Sequence, residues 1–145
     1  MSHIKQLSIT VEDVETAFYD ALNRSDIDAL MDLWAEDEEV VCIHPGTPRY
    51  VGLAAIRASW EAIFERGNIY VQPRLLVSTH NLLHATHNVI EEVRYPDNQE
   101  GNPDLHIVAT NVYIKTPQGW RIVLHHASAA AGKMPVVQRK ASMLH

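Results

Sequence analysis

The nine histidines are the side chains of this sequence best suited to chemistry, because an imidazole changes charge near neutrality and can give or take a proton. His44 is the first candidate. It follows the apolar run Val40 to Ile43 and precedes Pro45-Gly46, where a strand has to end because proline cannot continue the ladder. Buried among apolar groups, such a ring stays neutral and can accept a proton. Farther along, alternation places His106, Val108, Thr110 and Val112 on one face of a strand, with Asn111 and Tyr113 on the other. The same rule sends His125 and His126 to opposite sides, so at most one of the two enters a given pocket. Each of these histidines also has a plain structural reading, as a turn-holding or solvated residue. Trp34, Trp60, Phe64 and Tyr70 are large enough to line a ligand pocket, and equally able to pack as core.

Other chemistries find less support. His80, His84 and His87 are close in sequence, but a turn separates them and their spacing is not the helical H-E-x-x-H pattern. Nothing resembles a cysteine-rich zinc site, so no metal and no cofactor is expected. The acidic run Glu36-Asp37-Glu38-Glu39 reads as a solvated connection, since consecutive side chains diverge and metal ligands must converge. Cys42 is the sole cysteine and has no internal disulfide partner, which points to a reducing, cytoplasmic setting.

Composition narrows the field further. A chain of 145 residues with 46% apolar and 21% charged residues suits one globular domain with room for a core and a cavity. The net charge of −6 with no basic stripe argues against nucleic acid as a partner. No apolar run approaches the ~20 residues that span a bilayer, and no signal-peptide pattern opens the chain, so no membrane association is expected.

The elements that must position these residues follow from periodicity. Helical spacing of Val14, Ala17, Phe18, Ala21 and Leu22 predicts a helix over 11–23, with Thr10 and Asp13 as a capping box. Ser25 or Asp26 can cap a second helix over 27–34. A short strand over 40–43 and a third helix over 53–66 follow, the latter ending at Gly67. Beyond it, segments near 69–79, 86–95, 105–115 and 120–128 are rich in Val, Ile, Thr and Tyr, and turn-prone stretches divide the later ones. Helices segregated from a meander of strands define an α+β domain. The domain is expected over residues 1–131, with 132–145 as a C-terminal tail.

Several of these stretches together resemble a known family. Phe18-Tyr19-Asp20-Ala21-Leu22-Asn23, Asp26, Asp28 and Leu33-Trp34-Ala35-Glu36-Asp37 are similar to the opening of SnoaL-like domains of the nuclear-transport-factor-2-like superfamily. His44-Pro45-Gly46, Gly52 and Ala55-Ile56-Arg57 continue the pattern. The closing Gly119-Trp120-Arg121-Ile122-Val123 with His125-His126-Ala127-Ser128 resembles the last strand of the same superfamily, particularly in association domains of calmodulin-dependent kinases. There Ala127 stands where an arginine is usual, which weakens a carboxylate-binding reading. The resemblance implies a cone: a strongly curved, mostly antiparallel sheet wrapped on three N-terminal helices, with a central pocket. It also implies a homodimer joined through the sheet.

Measured against ketosteroid isomerases of that superfamily, His44 takes the position of the aspartate base. Phe18, without a hydroxyl, takes that of the oxyanion-hole tyrosine, and Thr110 that of the protonated aspartate. Ketosteroid isomerisation itself is therefore not expected. The functional expectation is a small-molecule-binding domain acting as an isomerase, cyclase or lyase on an apolar substrate by general acid/base chemistry. The alternative is a non-catalytic ligand-binding or oligomerisation module. His44 is the expected proton carrier, in a cavity drawing on Phe18, Trp34, Trp60, Phe64, His106, Thr110 and His125. Val and Ile on both faces of the late strands, for example Val112 and Ile114 against Ile107, add an independent motive for the homodimer.

Overall fold

The computed structural model describes residues 10–131; the expected tail over 132–145 lies outside them. Helix α1 (Val11–Asn23) begins with the reciprocal capping box: Asp13 N–H donates to Thr10 Oγ1 at 3.0 Å and Thr10 N–H to Asp13 Oδ2 at 3.2 Å. Its buried stripe is Val11, Val14, Phe18, Ala21 and Leu22, joined by Tyr19. Helix α2 (Ile27–Met31) is capped by Asp26, whose Oδ1 accepts from Ala29 N–H at 3.1 Å. Ser25, the other candidate cap, instead makes the turn, with φ +54°.

The second helix is shorter than its periodicity predicts. Leu33 to Ala35 leave it to run beside the last strand, where Ile122 N–H donates to Leu33 O and Ala35 N–H to Ile122 O, both at 2.9 Å. Pairing with a distant strand outweighs one more helical turn. Strand β1 (Val41–Ile43) follows, then β2 (Tyr50–Val51), a two-residue strand too short to show a period in the sequence. Helix α3 (Leu53–Glu65) starts at Gly52, whose φ of +92° a side chain would resist.

The remaining chain is the expected meander: β3 (Tyr70–His80), β4 (His84–Arg94), β5 (Leu105–Thr116) and β6 (Gly119–Ala129). The sheet has the order β2-β1-β6-β5-β4-β3, antiparallel except where β1 lies parallel to β6. It does not close. Extra residues interrupt the register at Leu75/Val77 in β3 and opposite Val112/Tyr113 in β6, and such bulges bend a strand and sharpen its twist. The helices fill the concave side. There Val14, Phe18, Leu30, Leu33, Trp34 and Ile56 pack against Cys42, Ala85, Val93, Tyr113 and Ile122 of the sheet. None of the helices among the described residues is long and apolar enough to cross a membrane.

One side chain ties the helical layer to the open edge of this sheet. Asn23, the last residue of α1, donates from Nδ2 to Val71 O at 3.1 Å and accepts from Val71 N–H at 2.7 Å. Its amide thereby satisfies both backbone groups of an edge residue that no further strand covers among the described residues. Asn23→Ala strands both groups and should cost about 2 kcal/mol in urea unfolding; Asn23→Asp, which keeps the acceptor but loses the donor, should also destabilise.

Candidate active site

The turn after β1 sets His44. Thr47 N–H donates to His44 O at 3.0 Å across Pro45-Gly46, and Gly46 takes the φ of +76° that this tight turn needs. Thr47 Oγ1 accepts from His44 N–H at 3.0 Å, clamping the backbone from the other side. The ring is buried, edge-on to Trp60 with centroids 4.6 Å apart, and its Nε2 lies 2.9 Å from Ser59 Oγ. Since Ser59 donates its proton to Ile56 O at 2.7 Å, it can only accept from His44, so Nε2 carries the hydrogen. Burial lowers the His44 pKa to about 4, and the ring is neutral at pH 7.

His44 and Trp60 line a cavity of about 150 Å³ between α1, α3 and the sheet. Its walls are Leu22, Ile63, Ile69, Val71, Val93 and Ile107, and its exposed rim carries Pro45, Tyr95 and Leu105. At the inner end stand two ionisable groups, Glu91 of β4 and His125 of β6. His125 is the inward member of its pair, and His126 is exposed.

Hydrogen bonds dictate the state of both groups. His125 Nδ1 lies 2.6 Å from Asn111 Oδ1, because Asn111 uses its Nδ2 to donate to Tyr19 Oη at 3.1 Å and Glu15 Oε2 at 3.3 Å. Asn111 Oδ1 must accept, so His125 is protonated on Nδ1 and keeps its Nε2 lone pair. Tyr19 in turn donates to Glu91 Oε2 at 2.6 Å. His125 Nε2 and Glu91 Oε2 are 4.0 Å apart, and among the described residues no protein group hydrogen-bonds Glu91 Oε1 or His125 Nε2. Burial, opposed by the Tyr19 hydrogen bond and reinforced by the charge of Glu15, raises the Glu91 pKa to about 7. Burial, with the neighbouring imidazoles of His44 and His126, lowers that of His125 to about 3. The cavity therefore ends in a carboxyl that titrates near neutrality, beside an imidazole with a free lone pair.

Behind this pair lies a second layer of polar groups. Glu15 Oε2 accepts from Tyr113 Oη at 2.6 Å and faces His87 Nδ1 at 3.0 Å. Burial pushes Glu15 upward, but the hydrogen bonds from His87, Tyr113 and Asn111 prevail and hold it below the usual carboxylate range. Cys42 is buried against the site, and burial pushes its thiol up to about 12, so it is no nucleophile at neutral pH.

The residues expected from sequence divide accordingly. His44, Trp60 and His125 converge on the cavity. Phe18 stands one layer behind, its ring 5.3 Å from His125 and 5.9 Å from Trp60, and the tyrosine hydroxyl it lacks is supplied by the next residue, Tyr19. Phe64 packs on Trp60 at 6.0 Å, while Ile63 is the α3 residue that reaches the cavity. Trp34 is core, bridged to Ile122 and away from the site.

His106 and Thr110 need correction: they occupy the convex face, where Asn88 Nδ2 lies 3.4 Å from Thr110 Oγ1, and Ile107 and Asn111 take the concave one. The parity was legible, but which parity faces the helices was not. Glu91, Tyr19 and Asn111 went unrecognised. A signal for Glu91 existed, since it shares its parity with Ala85, His87, Val89 and Val93, all buried. Of the clustered histidines, His80 meets Trp120 edge-on with centroids 5.3 Å apart, and His87 turns inward to Glu15. Among the described residues no three of His, Cys, Asp and Glu group so as to hold a metal ion.

The raised carboxyl has a stability signature. Between its unfolded value near 4.5 and its folded value near 7, the unfolded chain loses the Glu91 proton while the folded chain keeps it, so this group's contribution falls as pH rises. Glu91→Gln should therefore stabilise the fold by on the order of 3 kcal/mol at pH 8, with the gain vanishing below about pH 4.5. Thermal melts of both proteins from pH 4 to 8 check this. The neutral histidines act in the opposite sense: stability linked to His44 and His125 is lost as pH falls from about 6.5 towards 4 and 3.

With this geometry in hand, three solved structures are instructive. A protein from Thiobacillus denitrificans, provisionally assigned as a calcium/calmodulin-dependent protein kinase type II association domain, is 36% identical with a TM-score of 0.79, over 85% of this chain and 97% of that one. A protein from Streptomyces avermitilis, provisionally assigned as a dehydratase of the NTF2-like family, is 27% identical with a TM-score of 0.71, over 84% and 95%. A ketosteroid isomerase-like protein from Erwinia carotovora atroseptica shares the fold at 18% identity and a TM-score of 0.67, over 90% and 100%. No curated protein matches the chain significantly. The family model of the SnoaL-like domain matches residues 11–132, and the chain belongs to that family, within the NTF2-like superfamily.

Proposed function

We propose that this domain is a small-molecule enzyme that moves protons at a carbon next to an oxygen-bearing one, as in isomerisation or loss of water. The observation that carries this reading is the Glu91 carboxyl and the His125 Nε2 lone pair, 4.0 Å apart at the end of one apolar cavity. Protonated Glu91 donates to a carbonyl oxygen while His125 Nε2 takes the proton of the adjacent carbon. The C–H electron pair becomes the C=C bond of an enol, and the carbonyl π pair goes to the oxygen that gains the Glu91 proton. With a hydroxyl as leaving group, the same two transfers release water and leave an alkene. Either step creates a carboxylate and an imidazolium side by side, whose attraction in a dry site offsets the weak basicity of a buried histidine. Return of the proton from His125 to Glu91 resets the pair. His44, the proton carrier expected from the sequence, contributes a second imidazole to the wall with its Nε2 engaged by Ser59.

Carbon-bound proton exchange of small cyclic and acyclic ketones in D₂O, followed by NMR, tests this assignment. Glu91→Gln and His125→Gln should each slow exchange by roughly 100-fold or more, and His44→Ala by less than about tenfold. The rate should fall above about pH 7, where Glu91 loses its proton, and again only near pH 3, where His125 gains one. Equal exchange by wild type and Glu91→Gln would remove the mechanism.

The 36%-identical association domain supports a second reading, in which the domain binds and assembles without catalysis. Both readings are compatible with a homodimer through the convex sheet face, where the part-exposed Val108, Val112, Ile114 and Leu124 form an apolar band. Sedimentation should give a dimer at micromolar concentration, and Val112→Lys should shift it to monomer. A wild-type monomer would reject the interface.

A further inference from the structure

The dimensions and donor set of the cavity narrow the class of ligand, an inference that rests on the acid/base reading of the same site. A chamber of about 150 Å³ matches, in volume, apolar cavities that accept a single benzene ring. Among the described residues none that line it is lysine or arginine, and the ionisable side chains there, apart from the rim Tyr95, are Glu91, His44 and His125. A carboxylate or phosphate entering it would meet no cation to replace its hydration, and burying an unpaired anion is costly. An ammonium would need ionised Glu91 as counter-ion, so two charges would leave water for an apolar chamber. A neutral molecule avoids both costs. Its oxygen can accept from the Glu91 carboxyl, its acidic C–H or hydroxyl can face His125 Nε2, and its carbon skeleton can rest on Val93, Ile107 and Trp60.

From this geometry we infer that the ligand is an uncharged, compact carbonyl or hydroxy compound of about six to nine non-hydrogen atoms, with its oxygen at the Glu91 end. Steroids and other polycyclic skeletons exceed the chamber.

The test uses the full chain labelled on Ile and Val methyl groups, titrated at pH 7 with cyclohexenone, cyclohexanecarboxylate, cyclohexylamine and progesterone. Cyclohexenone should shift the Ile107 and Val93 methyl signals with a Kd at least tenfold below those of the carboxylate and the amine. Progesterone should leave them unmoved. Glu91→Gln, which preserves shape and a hydrogen bond, should still bind cyclohexenone. Binding of the carboxylate, the amine or the steroid as tightly as the enone overturns the inference, as does the failure of all four to shift those methyls. The two readings fail separately. Cyclohexenone that binds without carbon-bound proton exchange leaves the size and charge of the ligand standing and removes the chemistry. Glu91-dependent exchange confined to larger carbonyl compounds keeps the chemistry and removes the size limit.

Discussion

The side-chain amide of Asn111 holds the inner end of the cavity together. Its oxygen accepts a hydrogen bond from His125 Nδ1–H, with nitrogen and oxygen 2.6 Å apart, while its nitrogen donates to the Tyr19 hydroxyl and the Glu15 carboxylate. An amide offers both a donor and an acceptor in fixed geometry, so this one group selects the His125 tautomer and leaves Tyr19 free to give its own proton to Glu91. Without that arrangement the His125 Nδ1–H would be buried with no partner, and Tyr19 and Glu15 would each lose a donor. Such groups cost far more unsatisfied than they contribute when paired.

Around this amide the fold reconciles two opposed demands. An apolar cavity needs a dry wall, and a proton-transfer site needs ionisable groups inside that wall. Glu91 meets both by holding its proton almost to neutrality, and His125 by remaining neutral, so below about pH 7 the uncharged form of the pair prevails in the chamber. The charged member of the network, Glu15, is set one layer back, where His87, Tyr113 and Asn111 surround it. The parallel pairing of β1 with β6 brings Cys42 opposite His125, and this sets His44, two residues on, beside the same chamber. His44 and His125 then flank Trp60, with ring centroids 4.6 and 5.9 Å away.

Much of the framework was legible in the chain itself. Helix α1 spans the predicted 11–23, α3 ends within a residue of its predicted limit, and all four late strands lie where the Val, Ile, Thr and Tyr content put them. Local rules suffice there: a capping box, a 3.6-residue stripe and turn residues between alternating segments act within a few residues of one another. His44 was legible for the same reason, because Pro45 and Gly46 force the strand to stop and turn at that point.

The chemistry was less legible, since it depends on which face of each strand meets the helices. Alternation divides β5 into His106, Val108, Thr110 and Ile107, Ala109, Asn111, but it does not say which set points inward. In β6 it holds for His125 and His126 but breaks across the bulge: the extra residue Val123 makes His125 and Ile122 both face the concave side, three residues apart. By itself the sequence determined the order of the main elements, apart from the two-residue β2 and the end of α2, together with the family and the turn at His44, because those rest on short-range sterics and local motifs. Only the tertiary structure decided that Glu91, His125, Tyr19 and Asn111 meet. Their pairing is a product of sheet register, bulge and helix docking, and burial at their meeting point is what turns an ordinary strand glutamate into a carboxyl titrating near 7.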